Sequence, residues 1–207
     1  MKSSFLVLIC FSVGILLGLF ANETPDFIHS VPTVALYLLI AQVGLNLGAH
    51  NDVRSIFHGT SARSLTLPFF TIAGTLLFTA IAWFLFAGLN FADCMALGSG
   101  FAYYSLSSML IMEFKTASSG IEIATELASI ALLANMIREM LALLGGAFFA
   151  RYFGKYATIT AAGINSMDVC MPTITRFSGS EVTGLALFHG IVLELSVPLL
   201  ISLFCSM

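Results

Sequence analysis

The sequence predicts an all-α integral membrane protein that combines ordinary helical spans with two discontinuous, re-entrant helical hairpins. Three observations lead to this prediction. The 207 residues are 58% hydrophobic and only 9% charged, whereas soluble domains carry roughly 25% charged residues. Apolar runs long enough to cross a bilayer recur along the chain. Two further runs, 93–118 and 156–180, are interrupted by glycine and by small polar residues.

Composition also limits the partners that we expect. A net charge of -3 provides no basic surface for a nucleic acid, so the expected surroundings are a lipid bilayer. The cysteines show no CxxC pair and no histidine spacing suited to a metal, so we expect free thiols and neither metal nor cofactor. These cysteines are Cys10, Cys94, Cys170 and Cys205.

The first 89 residues predict three spans, at 5–21, 31–49 and 65–89. The first run follows Lys2 and also fits a signal peptide cleaved near Ala21. We interpret it as a retained span, because about 17 apolar residues reach the lower limit for crossing a bilayer.

Positive charge predicts the orientation, since short cytoplasmic loops are enriched in Lys and Arg. The loop 50–63 contains Arg54 and Arg63, whereas 22–30 contains no cation. We therefore expect a cytoplasmic amino terminus. If 93–118 enters and leaves on the outer side, the helix over 121–150 delivers Arg151 to the cytoplasm, and the last helix leaves the carboxyl terminus outside.

The first hairpin, 93–118, has small residues clustered at its middle. Such residues either let two helices approach closely or mark an unwound backbone that presents amides and carbonyls to a solute. We favour the second explanation because the same feature recurs later, and we place the hairpin tip at Gly98 and Gly100. The cluster consists of Gly98, Ser99, Gly100, Ser105, Ser107 and Ser108.

The second hairpin, 156–180, is broken by Gly163, a small polar run and Pro172. Non-helical backbone at membrane depth is tolerated only when it is buried in protein or lines a cavity. We therefore predict a second tip between Gly163 and Pro172, with Asn165, Ser166 and Asp168 directed at a binding site.

An offset of 63 residues relates the two hairpins and the helices that follow them. Each unit would contain one re-entrant hairpin and one crossing, over 121–150 and 183–205. A repeat with an odd number of crossings must insert its second copy upside down, so the pattern predicts an inverted repeat. The matched pairs are Gly100 with Gly163, Ser105 with Asp168, Phe114 with Phe177, and Glu126 with His189.

The helix predicted over 121–150 carries ionisable groups at membrane depth, where each costs about 2.5 to 3.5 kcal/mol. Asn135 and Glu139 share one face at i and i+4, while Arg138 lies about 100 degrees away. Glu139 is either a site residue or half of a buried pair with Arg138 or with a group on a neighbouring helix. Glu122 lies near the helix start, where a negative charge is favourable without any function.

Two acids, Glu139 and Asp168, would suit a solute with an excess of positive charge. Without a partner, desolvation favours the protonated form of a carboxyl, so either acid could carry a proton in exchange for a cation. On the last helix, His189 and Glu194 lie about 140 degrees apart and cannot both face one site directly. The candidate binding residues are Glu139, Asp168, Asn135, Arg138, Asn165, Ser105 and Ser166.

Four motifs resemble the bacterial lysine exporter family, LysO. They are LGSGFAYYSLSSMLIMEF (97–114), NMIREMLAL (135–143), GINSMDVCMP (163–172) and LALFHGIVLELSVPLLI (185–201). The resemblance is strong over 93–207 and weaker but collinear over 5–89. It implies export of L-lysine, and of analogues such as thialysine, across the bacterial inner membrane in exchange for protons. It also implies that Glu139 and Asp168 are the essential intramembrane acids.

The resemblance further implies that the chain is one part of a larger transporter and that its two halves have different roles. Single-chain members have about three additional spans ahead of the part that matches residue 1, and this chain resembles the larger half of a split member. The expected partner is a three-span membrane protein of about 95 residues, a second copy of the chain, or both. In an elevator-like carrier of this kind, residues 1–89 would be half of a scaffold and 90–207 the moving transport domain.

Other functions fit parts of the same pattern. A cation-proton antiporter would share the broken helices and the acids, and a non-transporting subunit would fit a chain that is half of a pair. An intramembrane aspartyl protease also uses paired acids, but Asp168 lacks the GxGD setting that such enzymes resemble. We therefore expect a transporter and not an enzyme.

Overall fold

A computed structural model describes residues 62–85 and 88–207, preceded by isolated positions between 9 and 41. The spans predicted over 5–21 and 31–49, and the charged loop over 50–63 except its last two residues, lie outside this described part. Within it, all regular structure is helical. The α-helices are α1 (Thr66–Trp83), α2 (Phe91–Gly98), α3 (Tyr104–Ser119), α4 (Ile121–Phe153), α5 (Ala157–Ala162), α6 (Met171–Ser178) and α7 (Thr183–Cys205).

Three of the described helices are long and apolar enough to cross a membrane: α1, α4, and α7 together with the 3-10 turn that precedes it. The predicted all-helical membrane class is therefore confirmed for the described residues. Large apolar side chains on the outer faces of these helices are exposed, including Phe78 on α1, Leu144 on α4 and Leu199 on α7. Such faces suit contact with lipid or with further helices.

The first interrupted segment consists of α2 and α3, separated by non-helical residues 99–103. Helix α2 ends at Gly98, and Tyr103 N donates to the Gly100 carbonyl over 2.7 Å to close a turn. At the far end of this segment, Lys115 Nζ lies 2.6 Å from Asp93 Oδ1, with both side chains largely buried. This ion pair joins the start of α2 to the last turns of α3.

The second interrupted segment consists of α5, a 3-10 helix (Gly163–Met167) and α6. Proline favours the first turn of a helix, where its missing N–H costs nothing, and Pro172 occupies that position in α6. Between the 3-10 helix and α6 the chain turns through Asp168, Val169 and Cys170.

Helices α4 and α7 hold the two interrupted segments together. Helix α4 packs along α3 and α5, while α7 packs on the 3-10 helix and on α2 and α3. Side chains from both breaks, Phe101 and Ile164, share one buried apolar cluster with Leu127 of α4 and Leu193 of α7. The breaks therefore lie in the interior of the described structure.

Candidate functional site where the two breaks meet

The two helix breaks touch each other directly. Ile164 N donates a hydrogen bond to the Phe101 carbonyl over 3.0 Å, and Asn165 Nδ2 donates to the Ala102 carbonyl over 3.3 Å. Gly163 makes this approach possible because a Cβ atom there would collide with the Phe101 carbonyl oxygen. Its φ of +62° is also a value that other residues rarely adopt.

The first break contains strained backbone. Phe101 and Ala102 have φ values of 43° and 73°, although neither is glycine. Such residues cost about 1 to 3 kcal/mol each and persist only when their surroundings hold them in place. Here both carbonyls accept hydrogen bonds from the second break, so the second break helps to fix the strained conformation of the first.

Asn135 of α4 completes the support of the first break. Its Oδ1 accepts from Ala102 N over 2.8 Å, and its Nδ2 donates to the carbonyl of Ala131 over 2.8 Å and to Ser107 Oγ over 3.3 Å. The amide lies so close to Gly100 that a Cβ at Gly100 would collide with it. Asn135 therefore recognises an unwound backbone that has no helical partner of its own.

Glu139 lies one turn beyond Asn135 on the same face of α4 and is only 1% exposed. Its Oε2 accepts a hydrogen bond from Asn165 Nδ2 over 2.9 Å. The Asn165 amide thus connects the Ala102 carbonyl of the first break with the carboxylate of α4. An acid held in this way has a fixed direction, as a ligand for a cation requires.

Arg138, next to Glu139 in the sequence, faces the end of α5. Its Nε donates to the Ala161 carbonyl over 3.3 Å and its Nη2 to the Thr160 carbonyl over 3.1 Å. A cation at the carboxyl end of a helix satisfies carbonyls that lack intrahelical partners and interacts favourably with the helix dipole. Arg138 therefore stabilises α5 at the point where the second segment unwinds.

Asp168 follows the 3-10 helix and is exposed on the described structure. Its carboxylate accepts a hydrogen bond from Val169 N. The side chain lies within electrostatic range of Tyr103 and Tyr104 at the start of α3, and of Glu194 on α7. Since Tyr104 is also within range of Glu139, tyrosine side chains lie near both predicted acids.

Ser166 points away from these acids and towards α7. Its hydroxyl lies 2.9 Å from the Ala186 carbonyl and 3.2 Å from Nδ1 of His189. The other ring nitrogen of the fully buried His189 lies 2.9 Å from Thr71 Oγ1 of α1. The imidazole therefore connects α1, α7 and the second break, which is a positioning role.

The remaining predicted residues lie at the edges of the site. Ser105 is half-buried in the first turn of α3, and Pro172 is exposed at the start of α6. Gly98 lies against Thr79, so closely that a Cβ would collide with the threonine side chain. Gly98 thus serves the packing of α2 on α1, while the break itself follows it.

Comparison with known proteins identifies the family to which this chain is similar. The chain matches the family described as "Lysine exporter LysO" over residues 8–205. The chain belongs to the lysine exporter LysO family.

Two bacterial proteins show how similar this chain is to known members of the family. A Haemophilus influenzae protein provisionally named as a lysine exporter is 28% identical over 194 residues, which cover 94% of each chain. The lysine exporter LysO of Escherichia coli is 30% identical over 115 residues, which cover 53% of this chain and 34% of that protein. No solved structure gives a significant match.

One acid of this LysO-family chain was missed as a candidate from the sequence. Glu194 of α7 is only 3% exposed and lies within electrostatic range of Asp168 and Tyr103. The signal was present, because an ionisable residue within an apolar span is itself an indication of function. The angle of about 140 degrees between His189 and Glu194 on the helix argued against one shared site. In the structure the two residues have different neighbours: His189 contacts Ser166, and Glu194 lies within electrostatic range of Asp168.

A separate groove of about 590 Å³ lies between α1 and the end of α5. Its described lining includes Thr71, Thr75, Thr79 and Arg138, and among the described residues it contains no carboxylate. A cationic solute needs anionic partners, so the crossing of the breaks is the better candidate site in this LysO-family chain.

Proposed function

We propose that this chain exports L-lysine across the bacterial inner membrane in exchange for protons, with Glu139 and Asp168 as the intramembrane acids. One observation carries the proposal: two helix breaks meet in the interior, and ionisable residues gather around the meeting point. Broken helices at membrane depth are where many secondary transporters bind their substrates.

The chemistry of lysine matches the groups around the breaks. The molecule carries two ammonium groups and one carboxylate, so two acids can accept its cationic ends. Tyr103 at the end of the first break and Tyr104 at the start of α3 lie within electrostatic range of Asp168 and add hydroxyl groups to the site. Thialysine keeps all three charged groups at a similar spacing, so the same site would export it.

Proton exchange follows if the binding of lysine and the binding of a proton to this group of acids exclude each other. An acid that binds a proton no longer attracts an ammonium group, and an acid that binds an ammonium group favours loss of its proton. Alternating occupation by lysine and by protons would move the two in opposite directions. A site of this kind differs from that of a sodium or potassium antiporter because it requires an amino acid.

We propose that the fold is an inverted repeat that works as an elevator, with residues 1–89 as scaffold and 90–207 as the mobile part. The hydrogen bonds at the crossing support the repeat. The Phe101 carbonyl accepts a hydrogen bond from Ile164, and the Ala102 carbonyl accepts one from Asn165. In each pair the two residues are 63 positions apart in the sequence, which is the offset between the two proposed repeat units. Next to a two-fold axis, a residue of one unit lies close to the residue at the same position of the other unit.

We also propose that the working transporter needs a second membrane component, either a three-span protein of about 95 residues or another copy of this chain. The Escherichia coli relative supports this, because the aligned part covers 53% of this chain but only 34% of that protein, which is therefore the longer of the two. From the positive charges in its loops we further propose that the amino terminus of this chain is cytoplasmic and its carboxyl terminus outside.

The acids can be tested by lysine efflux from cells that lack their own export system. We expect Glu139→Gln and Asp168→Asn to abolish efflux while the protein still inserts into the membrane. Glu122→Gln is the matched control, because Glu122 lies exposed in the first turn of α4 and should keep efflux near the wild-type rate. Normal efflux from either of the first two variants would remove the site assignment.

A further inference from the structure

Glu194 lies in the middle of α7 with only 3% of its surface exposed. Its Oε2 atom is buried and has no hydrogen-bond partner among the residues that the structure describes. Glu139 differs in accepting a bond from Asn165, and Asp168 differs in accepting one from Val169 N. A buried carboxylate without a donor is costly, so a residue of this kind calls for a functional explanation.

The packing of α7 determines where Glu194 points. Ala186, Gly190 and Glu194 follow one another at intervals of four residues and share a face of the helix. The Ala186 carbonyl accepts from Ser166, and the Cα of Gly190 approaches the 3-10 helix so closely that a Cβ would lie 2.9 Å from the Ile164 carbonyl oxygen. One turn further along, Glu194 lies on the face of α7 that packs on the second break, within electrostatic range of Asp168.

The ionisable neighbours of Glu194 come from the two breaks. Asp168 of the second break and Tyr103 of the first lie within electrostatic range. The ion pair of Asp93 and Lys115 lies near Cys205 instead, about 16 Å further along α7 at 1.5 Å per residue. Glu194 thus faces one carboxylate and one phenol, with no cation among these neighbours.

We propose that Glu194 is a third acid of the site and carries the exchanged proton, while Glu139 and Asp168 hold the ammonium groups of the substrate. This inference rests on the proposed function. Glu139 and Asp168 each accept a hydrogen bond, whereas Oε2 of Glu194 accepts none, and a neutral carboxylic acid costs far less than a carboxylate to bury without a partner.

The interaction between Glu194 and Asp168 would couple the two movements. An empty, negatively charged Asp168 favours a neutral, protonated Glu194, because like charges repel. When a substrate ammonium group neutralises Asp168, that repulsion ends and Glu194 can release its proton to the side from which lysine was taken. On the other side, loss of lysine restores the repulsion, and Glu194 takes up a proton there.

The test compares two activities of the same variant in inside-out membrane vesicles, in whichever preparation, alone or with a partner, supports wild-type transport. Glu194→Gln should lower lysine uptake driven by a proton gradient by about tenfold or more. It should leave the exchange of labelled for unlabelled lysine, measured without a gradient, close to wild type. Glu126→Gln is the matched control on the exposed surface of α4 and should preserve both activities.

The outcomes separate this inference from the proposed function. Failure of the wild type to take up lysine under a gradient would contradict the proposed function itself. With an active wild type, gradient-driven uptake by Glu194→Gln would overturn the proton role, and so would the loss of both activities. Glu194→Asp provides the second variant, since it keeps a titratable group. It should retain gradient-driven uptake at a reduced rate, and its complete inactivity would also overturn the role.

Discussion

Asn135 shows how one side chain can stabilise a backbone that has no regular partner. It accepts the amide of Ala102, whose left-handed conformation removes that amide from any helix, and it is itself held by Ala131 and Ser107. A buried amide without an acceptor costs about 1 to 3 kcal/mol. The geometry of the first break therefore depends on this residue as much as on its glycines.

We expect Asn135→Ala to destabilise the protein by about 1 to 3 kcal/mol and to reduce lysine transport, because the Ala102 amide loses its acceptor. Thermal unfolding in detergent and efflux from cells would measure the two effects. Ser129→Ala on the same helix is the control, since the Ser129 hydroxyl donates only to the Thr125 carbonyl in the preceding turn of α4. Equal stability of Asn135→Ala and wild type would show that the bond contributes nothing.

Two of the buried or site-lining acids were noticeable in the sequence, but the hydrogen-bond partners around them were not. Glu139 and Asp168 are conspicuous because an ionisable group in an apolar run is costly. The role of Asn135 depends on the left-handed backbone at Phe101 and Ala102, and neither residue type signals that conformation. Asn165 likewise bonds a carbonyl that is distant in sequence, so its partner could only be found in three dimensions.

At the scale of helices, the lengths of the apolar runs and the residues that interrupt them predicted where most of the described helices lie. Helix α4 begins at Ile121, as its apolar run suggests, and continues past 150 to Phe153. It ends where Gly154 adopts a φ of +89°, a conformation that terminates helices. The position of the first break was less predictable, because Gly98 serves helix packing and the unwound residues follow it.

The close contact of α7 with the 3-10 helix gives a matched pair of glycine substitutions. A Cβ at Gly190 would lie 2.7 Å from Met167 Cβ, so Gly190→Ala should displace the second break, at a cost of about 1 to 3 kcal/mol. Gly184 lies on the same helix with nothing within 4 Å. Gly184→Ala should therefore be neutral or slightly stabilising.

Thermal unfolding and lysine efflux of the two alanine variants would be measured side by side. We expect Gly190→Ala to lose both stability and transport, and Gly184→Ala to keep both. Full transport by Gly190→Ala would mean that the second break can move away from α7 without consequence. The proposed direction of Glu194 towards Asp168 would then lose its main geometric support.

For the whole molecule, the central feature is that two interrupted segments meet in the interior. Phe101 with Ile164, and Ala102 with Asn165, are bonded across the contact, and Glu139 joins it through Asn165. Movement of one segment must therefore disturb the other, together with the carboxylate between them. In the proposed elevator, these bonds would let residues 90–207 move as one unit with the site intact.

The measurement that tests the central claim most directly is the movement of labelled lysine into inside-out vesicles under an imposed proton gradient. It compares this chain alone, the chain with a three-span partner, and each preparation with Glu139→Gln. We predict gradient-driven uptake when the partner is present and its loss in the variant. Correctly inserted protein that moves no lysine in any preparation would contradict lysine-proton exchange, and uptake by the chain alone would contradict the need for a three-span partner.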